Sequence, residues 1–237
     1  MIGYSKATLQ PSKNYGIRHG CSTPDLIVLH YTAMETAKEA LEKLCSPGTE
    51  VSAHYLVSAT GEIFQLVAEN RRAWHAGRSY WAQNRDINSR SVGIELDNDG
   101  IAPFSFPQIK SLVGLCHDIF KRWSIPVWRV VAHSDIAIGR KVDPGIRFDW
   151  CGLAKENIGS WPIPTEIFER SDEVQFLKDA ASYGYETNLG LSAVLNAFRL
   201  HFRPAAKGAL DLTDCSLIHD LAVRFPLTLL IKKHNQV

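Results

Sequence analysis

Short apolar runs alternating with stretches of helical spacing constrain this chain more than any other feature. Residues 26–32 read Leu-Ile-Val-Leu-His-Tyr-Thr behind Pro24-Asp25, the pattern of a buried strand that delivers His30 near its C-terminal end. From 36 to 44 the apolar residues Ala37, Ala40, Leu41 and Leu44 recur at helical spacing, and Pro47-Gly48 stops the run. His54-Tyr55-Leu56-Val57 and Ile63-Phe64-Gln65-Leu66-Val67 flank Ala59-Thr60-Gly61-Glu62, a hairpin signal with glycine in the turn. A strand over 92–96 would put Gly93 and Glu95 on one face and Val92, Ile94 and Leu96 on the other. Over 107–123, Ile109, Leu112, Val113, Cys116, Ile119 and Phe120 mark an amphipathic helix, and a strand over 127–132 then runs straight into His133. This alternation predicts an α/β fold with a mixed central β-sheet flanked by helices.

Gly159-Ser160-Trp161-Pro162-Ile163-Pro164 has the composition of a linker, and the stretch after it is helical in pattern: Val174, Leu177, Ala180 and Ala181, then Leu191, Val194, Leu195 and Phe198. The chain of 237 residues therefore divides, as an expectation, into a first domain over 1–160 and a small helical one over 161–237. With 45% hydrophobic and 22% charged residues, neither disorder nor a fibre is expected. Lys+Arg 26 against Asp+Glu 25 leaves a net charge of +1, so no overall positive field exists to hold a polyphosphate and nucleic acid is not expected as a partner. The five cysteines form no C-x-x-C pair and are odd in number, for which a reducing compartment is the simpler reading. No window approaches the roughly 20 apolar residues that span a bilayer. The N-terminus as given lacks a basic segment followed by an apolar one. The expected location is cytoplasmic, or periplasmic, outer-membrane-associated or secreted if an export signal has been removed.

Three side chains at strand ends or on the loops after them could bind a metal: His30, His133 and Asp143. Catalytic zinc commonly takes three protein ligands from histidine and carboxylate and keeps a fourth position open. The spacing alone also allows two ordinary core histidines and an aspartate capping the turn before Pro144-Gly145. Lys141 stands two residues before Asp143; in extended backbone the two would face one cavity, where an ammonium suits developing oxyanion charge. Glu95 is the only ionisable residue of its strand, which suits a general base beside a metal or, equally, the wet face of an edge strand. His54, and His75 within Trp74-His75-Ala76-Gly77, could wall a substrate cleft. Arg71, Arg72, Arg85, Arg90 and Arg140 could meet carboxylates of an acidic ligand or lie solvated on the surface.

Five stretches occur in one order: Val-Leu-His-Tyr-Thr at 28–32, Ser-Ala-His-Tyr-Leu-Val-Ser at 52–58, Arg-Ala-Trp-His-Ala-Gly at 72–77, Asn-Ser-Arg-Ser-Val-Gly-Ile-Glu-Leu at 88–96, and Ala-His-Ser-Asp-Ile-Ala through Gly-Arg-Lys-Val-Asp-Pro-Gly at 132–145. Together they resemble the zinc-dependent N-acetylmuramoyl-L-alanine amidases of the AmpD/AmiD type, in a family that includes phage T7-type lysozymes and peptidoglycan recognition proteins. The resemblance implies zinc on His30, His133 and Asp143, Glu95 as the acid/base carboxylate and Lys141 as the transition-state cation, with His75 and Asn88 lining or shaping the cleft. It departs from the phage and recognition-protein branch, whose third ligand is commonly Cys and which has Tyr where Ala53 stands; Glu95 places it with the bacterial branch. Gly-Tyr-Glu-Thr at 184–187 and the runs at 191–202 and 208–221 resemble a three-helix peptidoglycan-binding domain. The implied reaction is hydrolysis of the amide joining N-acetylmuramic acid, or its anhydro form, to L-Ala of the peptidoglycan stem peptide. A protein that binds peptidoglycan or muropeptides without cutting them, and a zinc peptidase cutting within the stem, are the alternatives.

Overall fold

In a computed structural model, which describes residues 1–163 and 168–226, eight strands and eight α-helices follow one another. They are β1 (Thr8–Leu9), β2 (Tyr15–Gly16), β3 (Leu26–Tyr31), α1 (Ala37–Cys45), β4 (Tyr55–Val57), β5 (Ile63–Gln65), β6 (Arg72–Ala73), α2 (Ile87–Arg90), β7 (Ser91–Leu96), α3 (Phe106–Trp123), β8 (Val130–Ala132), α4 (His133–Ile136), α5 (Trp150–Lys155), α6 (Glu173–Tyr183), α7 (Leu191–Phe202) and α8 (Leu212–Arg224). The Pro164 end of the expected linker and the last part of the helical stretch, 227–237, lie outside the described residues.

The main sheet runs β1-β5-β4-β7-β3-β8 and is mixed, with only β4 and β5 antiparallel, while β2 and β6 form a separate antiparallel pair. The expected hairpin is present, with Tyr55 opposite Gln65 and Val57 opposite Ile63. The strand expected from 127 starts only at Val130. Pro126 O accepts the Arg129 N–H at 2.9 Å, a turn that keeps 127 and 128 out of the ladder. The two-residue strands β1, β2 and β6 were not expected, being too short to show any periodicity.

Both long helices of the first half begin where a side chain can satisfy their free N–H groups. Thr36 accepts from Glu39 N at the start of α1, and Ser105 from Gln108 N at the start of α3. The buried face of α3, with Leu112, Leu115, Cys116 and Ile119, packs with α5 on one side of the sheet, against Ile27 and Leu29 of β3 and Val92, Ile94 and Leu96 of β7. The opposite side presents Leu26 and Val28 of β3 and Val131 of β8 to α6, α7 and α8, whose Phe176, Phe198 and Ile218 share a core with them. All five cysteines are free thiols. No helix among the described residues is long and apolar enough to cross a membrane.

Pairing of β3 with β7 does most to position the functional side chains. The two strands run parallel from Leu26 opposite Ser91 to Tyr31 opposite Leu96, which sets His30 directly across from Glu95. Because side chains alternate between faces, a slip of one residue would drive Glu95 into the apolar core, so burial of Val92, Ile94 and Leu96 fixes the register. Ile94→Ala, on the face away from Glu95, should lower unfolding free energy by about 2–5 kcal/mol in a denaturant melt while leaving every polar group of the other face in place.

Candidate metal centre

His30 is the fifth residue of β3, His133 opens α4, and Asp143 lies on the loop after it. All three are nearly inaccessible to solvent, at 1%, 4% and 6% exposure. Their donor atoms converge: His30 Nδ1 lies 2.9 Å from His133 Nδ1, and each nitrogen lies 3.0 Å from Asp143 Oδ2. Among the described residues this is the one cluster of three or more His, Cys, Asp or Glu side chains that could hold a metal ion.

The hydrogen bonds behind the rings assign their protons. Ser91 Oγ donates to Ile87 O at 2.6 Å, so it accepts from His75 Nε2 at 3.0 Å. Burial pushes the His75 imidazole well below its usual pKa, and His30 down to about 4, so both rings are neutral with one proton each. His75 Nδ1 is then an acceptor, and takes the His30 Nε2 proton at 2.9 Å. His30 Nδ1 is left as a bare lone pair facing the cluster. His133 Nε2 donates to Ala76 O at 3.2 Å, which likewise turns its Nδ1 toward the cluster. One short segment, 75–76, thus orients both imidazoles, as second-layer partners of metal ligands commonly do. That segment is itself held by Asn88, whose Oδ1 accepts from His75 N at 3.0 Å and Ala76 N at 2.8 Å.

Glu95 shares the site face of β7 with Ser91 and Gly93. Its Oε2 is buried with no hydrogen-bond partner among the described residues. Burial, and after it the charge of Asp143, push its carboxyl well above the usual carboxylate range. A cavity of about 410 Å³ opens over these groups, lined among others by Glu95, Lys141, Trp74 and Arg140. Lys141, expected to face the same cavity as Asp143, does so.

The remaining expectations separate. His75 lines the cavity but spends both ring nitrogens on His30 and Ser91. Asn88 shapes the cleft through the 75–76 backbone. His54, expected at the cleft, is placed elsewhere. It is fully buried, Nδ1 accepting from Gly93 N at 3.0 Å and Nε2 donating to Arg71 O at 2.9 Å. Arg72, Arg85 and Arg90 are engaged by Asp86, Glu186 and Asp25. Only Arg140 of that set reaches the cavity, where it donates to Ala76 O and Arg78 O at 2.7 and 2.8 Å. Ser91 was not among the expected site residues, although the same alternation that paired Gly93 with Glu95 extends to it.

Residues 20–146 match the family model for N-acetylmuramoyl-L-alanine amidase. The chain belongs to the N-acetylmuramoyl-L-alanine amidase family. Within it, the chain is 37% identical over 209 residues to N-acetylmuramoyl-L-alanine amidase AmiD of Escherichia coli, covering 76% of this chain and 75% of that protein. Among solved structures it resembles AmiD from E. coli in complex with the substrate anhydro-N-acetylmuramic acid-L-Ala-D-gamma-Glu-L-Lys, with a TM-score of 0.78 and 34% identity over 88% of this chain and 93% of that one. It also resembles AmpDh3 from Pseudomonas aeruginosa in complex with anhydromuramic pentapeptide, with a TM-score of 0.76 and 31% identity over 95% and 99%. This amidase-family chain thus keeps the mixed sheet with flanking helices along nearly its whole length, the C-terminal helices included.

A glycine makes the ring relay testable. A Cβ at Gly93 would sit 2.4–2.6 Å from His75 ring atoms, closer than any real contact. Gly93→Ala should therefore push the His75 ring off His30 and weaken divalent-metal binding about tenfold or more, read by competition with a chromophoric chelator.

Proposed function

We infer that the chain hydrolyses the amide between the lactyl carbonyl of N-acetylmuramic acid, or its anhydro form, and L-Ala of the peptidoglycan stem peptide, with zinc as its metal. The carrying observation is the convergence of two imidazole nitrogens and one carboxylate oxygen, beside a glutamate on the neighbouring strand whose buried Oε2 has no hydrogen-bond partner among the described residues. Two imidazoles and a carboxylate are a donor set that catalytic zinc uses. The muropeptide ligands of the AmiD and AmpDh3 complexes support the substrate class. His30, His133 and Asp143 would hold the ion. When bound there, zinc supplies Lewis acidity toward a carbonyl and toward water.

The chain's own groups do the rest. Glu95, its carboxylate turned toward the cavity without a partner, takes the proton of the attacking water and returns it to the leaving L-Ala nitrogen, leaving a free carboxylic acid on the sugar side. The Lys141 ammonium offsets the negative charge that develops on the carbonyl oxygen. His75 and Asn88 act behind the ligands, and Arg140 and Trp74 offer the substrate a cation and an aromatic wall. We further propose that residues 1–160 form the zinc amidase domain and that 161–237 form a peptidoglycan-binding-like domain, on the strength of the resemblance of the 184–221 stretch.

Catalysis, rather than binding alone, is favoured by Glu95 and Lys141, since holding a muropeptide needs no acid/base carboxylate. Incubation of the zinc-loaded protein with anhydro-muropeptides, then mass spectrometry, should yield free stem peptide beginning with L-Ala. Retention without release would favour the binding protein, and L-Ala left on the sugar would favour the stem peptidase. Glu95→Gln should keep zinc and lower turnover by about a hundredfold or more, and Lys141→Met should lower kcat by on the order of a hundredfold. His133→Ala should lose the metal and the activity together.

A further inference from the structure

The ligand His133 begins a helix of only four residues, too short to hold itself by its own ladder. Two contacts fix it beyond that ladder. Ser134 N donates to Asp143 O at 3.0 Å, closing the loop between two ligands. Asp135, two residues on, turns back so that Oδ2 accepts the Ala132 N–H at 2.8 Å, the amide just before His133.

Asp135 is in turn held by the C-terminal part of the chain, from α7 and from the segment that follows α6. Tyr185 donates its hydroxyl to Oδ1 at 2.8 Å and His201, on α7, donates Nδ1–H to Oδ2 at 2.7 Å. Asp135 and its two partners are each 1% exposed. Trp150 stacks on the His201 ring at 3.8 Å between centroids, and the other ring nitrogen, Nε2, is buried without a hydrogen-bond partner among the described residues. Packing alone would be served better by an apolar ring, which leaves no nitrogen unpaired. Among the described residues, the one polar contact that His201 makes is to Asp135.

We propose that Tyr185 and His201 are positioning residues for the metal ligand His133, so that the helical part of the chain completes the metal centre through Asp135. The proposal rests on the reading that His30, His133 and Asp143 bind zinc.

The test uses the full chain and two readouts: zinc affinity by chelator competition, and hydrogen exchange at the Ala132 amide without metal. Tyr185→Phe, which removes one oxygen, and His201→Phe, which keeps a ring for Trp150, should each weaken zinc binding about tenfold and speed Ala132 exchange. His201→Asn, which restores a donor near the Nδ1 position, should recover part of both. Ile218→Val, in the helical core, should leave zinc affinity within twofold of the parent. Unchanged affinity and exchange in Tyr185→Phe and His201→Phe would overturn the proposal, as would an equal loss in Ile218→Val. If the parent protein bound no zinc, the metal reading would fail by itself and Ala132 exchange would still decide for or against the brace. Should His201→Phe not fold, Tyr185→Phe carries the test.

Discussion

His30 Nδ1, His133 Nδ1 and Asp143 Oδ2 stand 2.9–3.0 Å from one another among almost fully buried side chains, a spacing that lone pairs tolerate only with protons or a cation between them. Each imidazole donates an N–H on the far side, His30 toward His75 and His133 toward the Ala76 carbonyl. The polar groups behind the cluster thus form one arrangement that turns the inner atoms toward a single point. Such an arrangement is costly without a positive charge at its centre, which suits the cluster to a metal ion.

The sheet makes this arrangement repeatable. One face of β3 and β7 is sealed by α3 and α5, which fixes the register, and the other then has no choice but to set His30 beside Glu95 and to leave Gly93 beneath the His75 ring. Ser91, Gly93 and Glu95 are three successive positions on one face of one strand. They take three different tasks: a hydroxyl that orients a ring, an absence of side chain that admits it, and a carboxylate left without a partner.

Much of this could be read from the chain. The helices over 37–45 and 106–123 carry clear apolar periodicity and side-chain caps, and the strands through His30 and Glu95 are bounded by turn residues. The motif order points to His30, Glu95, His133, Lys141 and Asp143, which line one cavity in the fold. What could not be read are pairings between distant segments. The parallel register of His30 with Glu95 depends on which strands become neighbours, which local spacing does not encode. His54 looked like a cleft residue because a histidine's neighbours in sequence do not reveal that Arg71 and Gly93 occupy its ring. The bonds from Tyr185 and His201 to Asp135 bridge separations of 50 and 66 residues, and nothing near Asp135 announces them.

The core common to the sheet and the C-terminal helices bears on how such chains could be recombined. Leu26, Val28 and Val131 are covered by Phe176, Phe198, Ile218 and their neighbours, so an excised N-terminal part would present a bare greasy surface to water and tend to self-associate. A chimera that grafts a foreign recognition unit in place of these helices would have to bring a matching apolar underside with it.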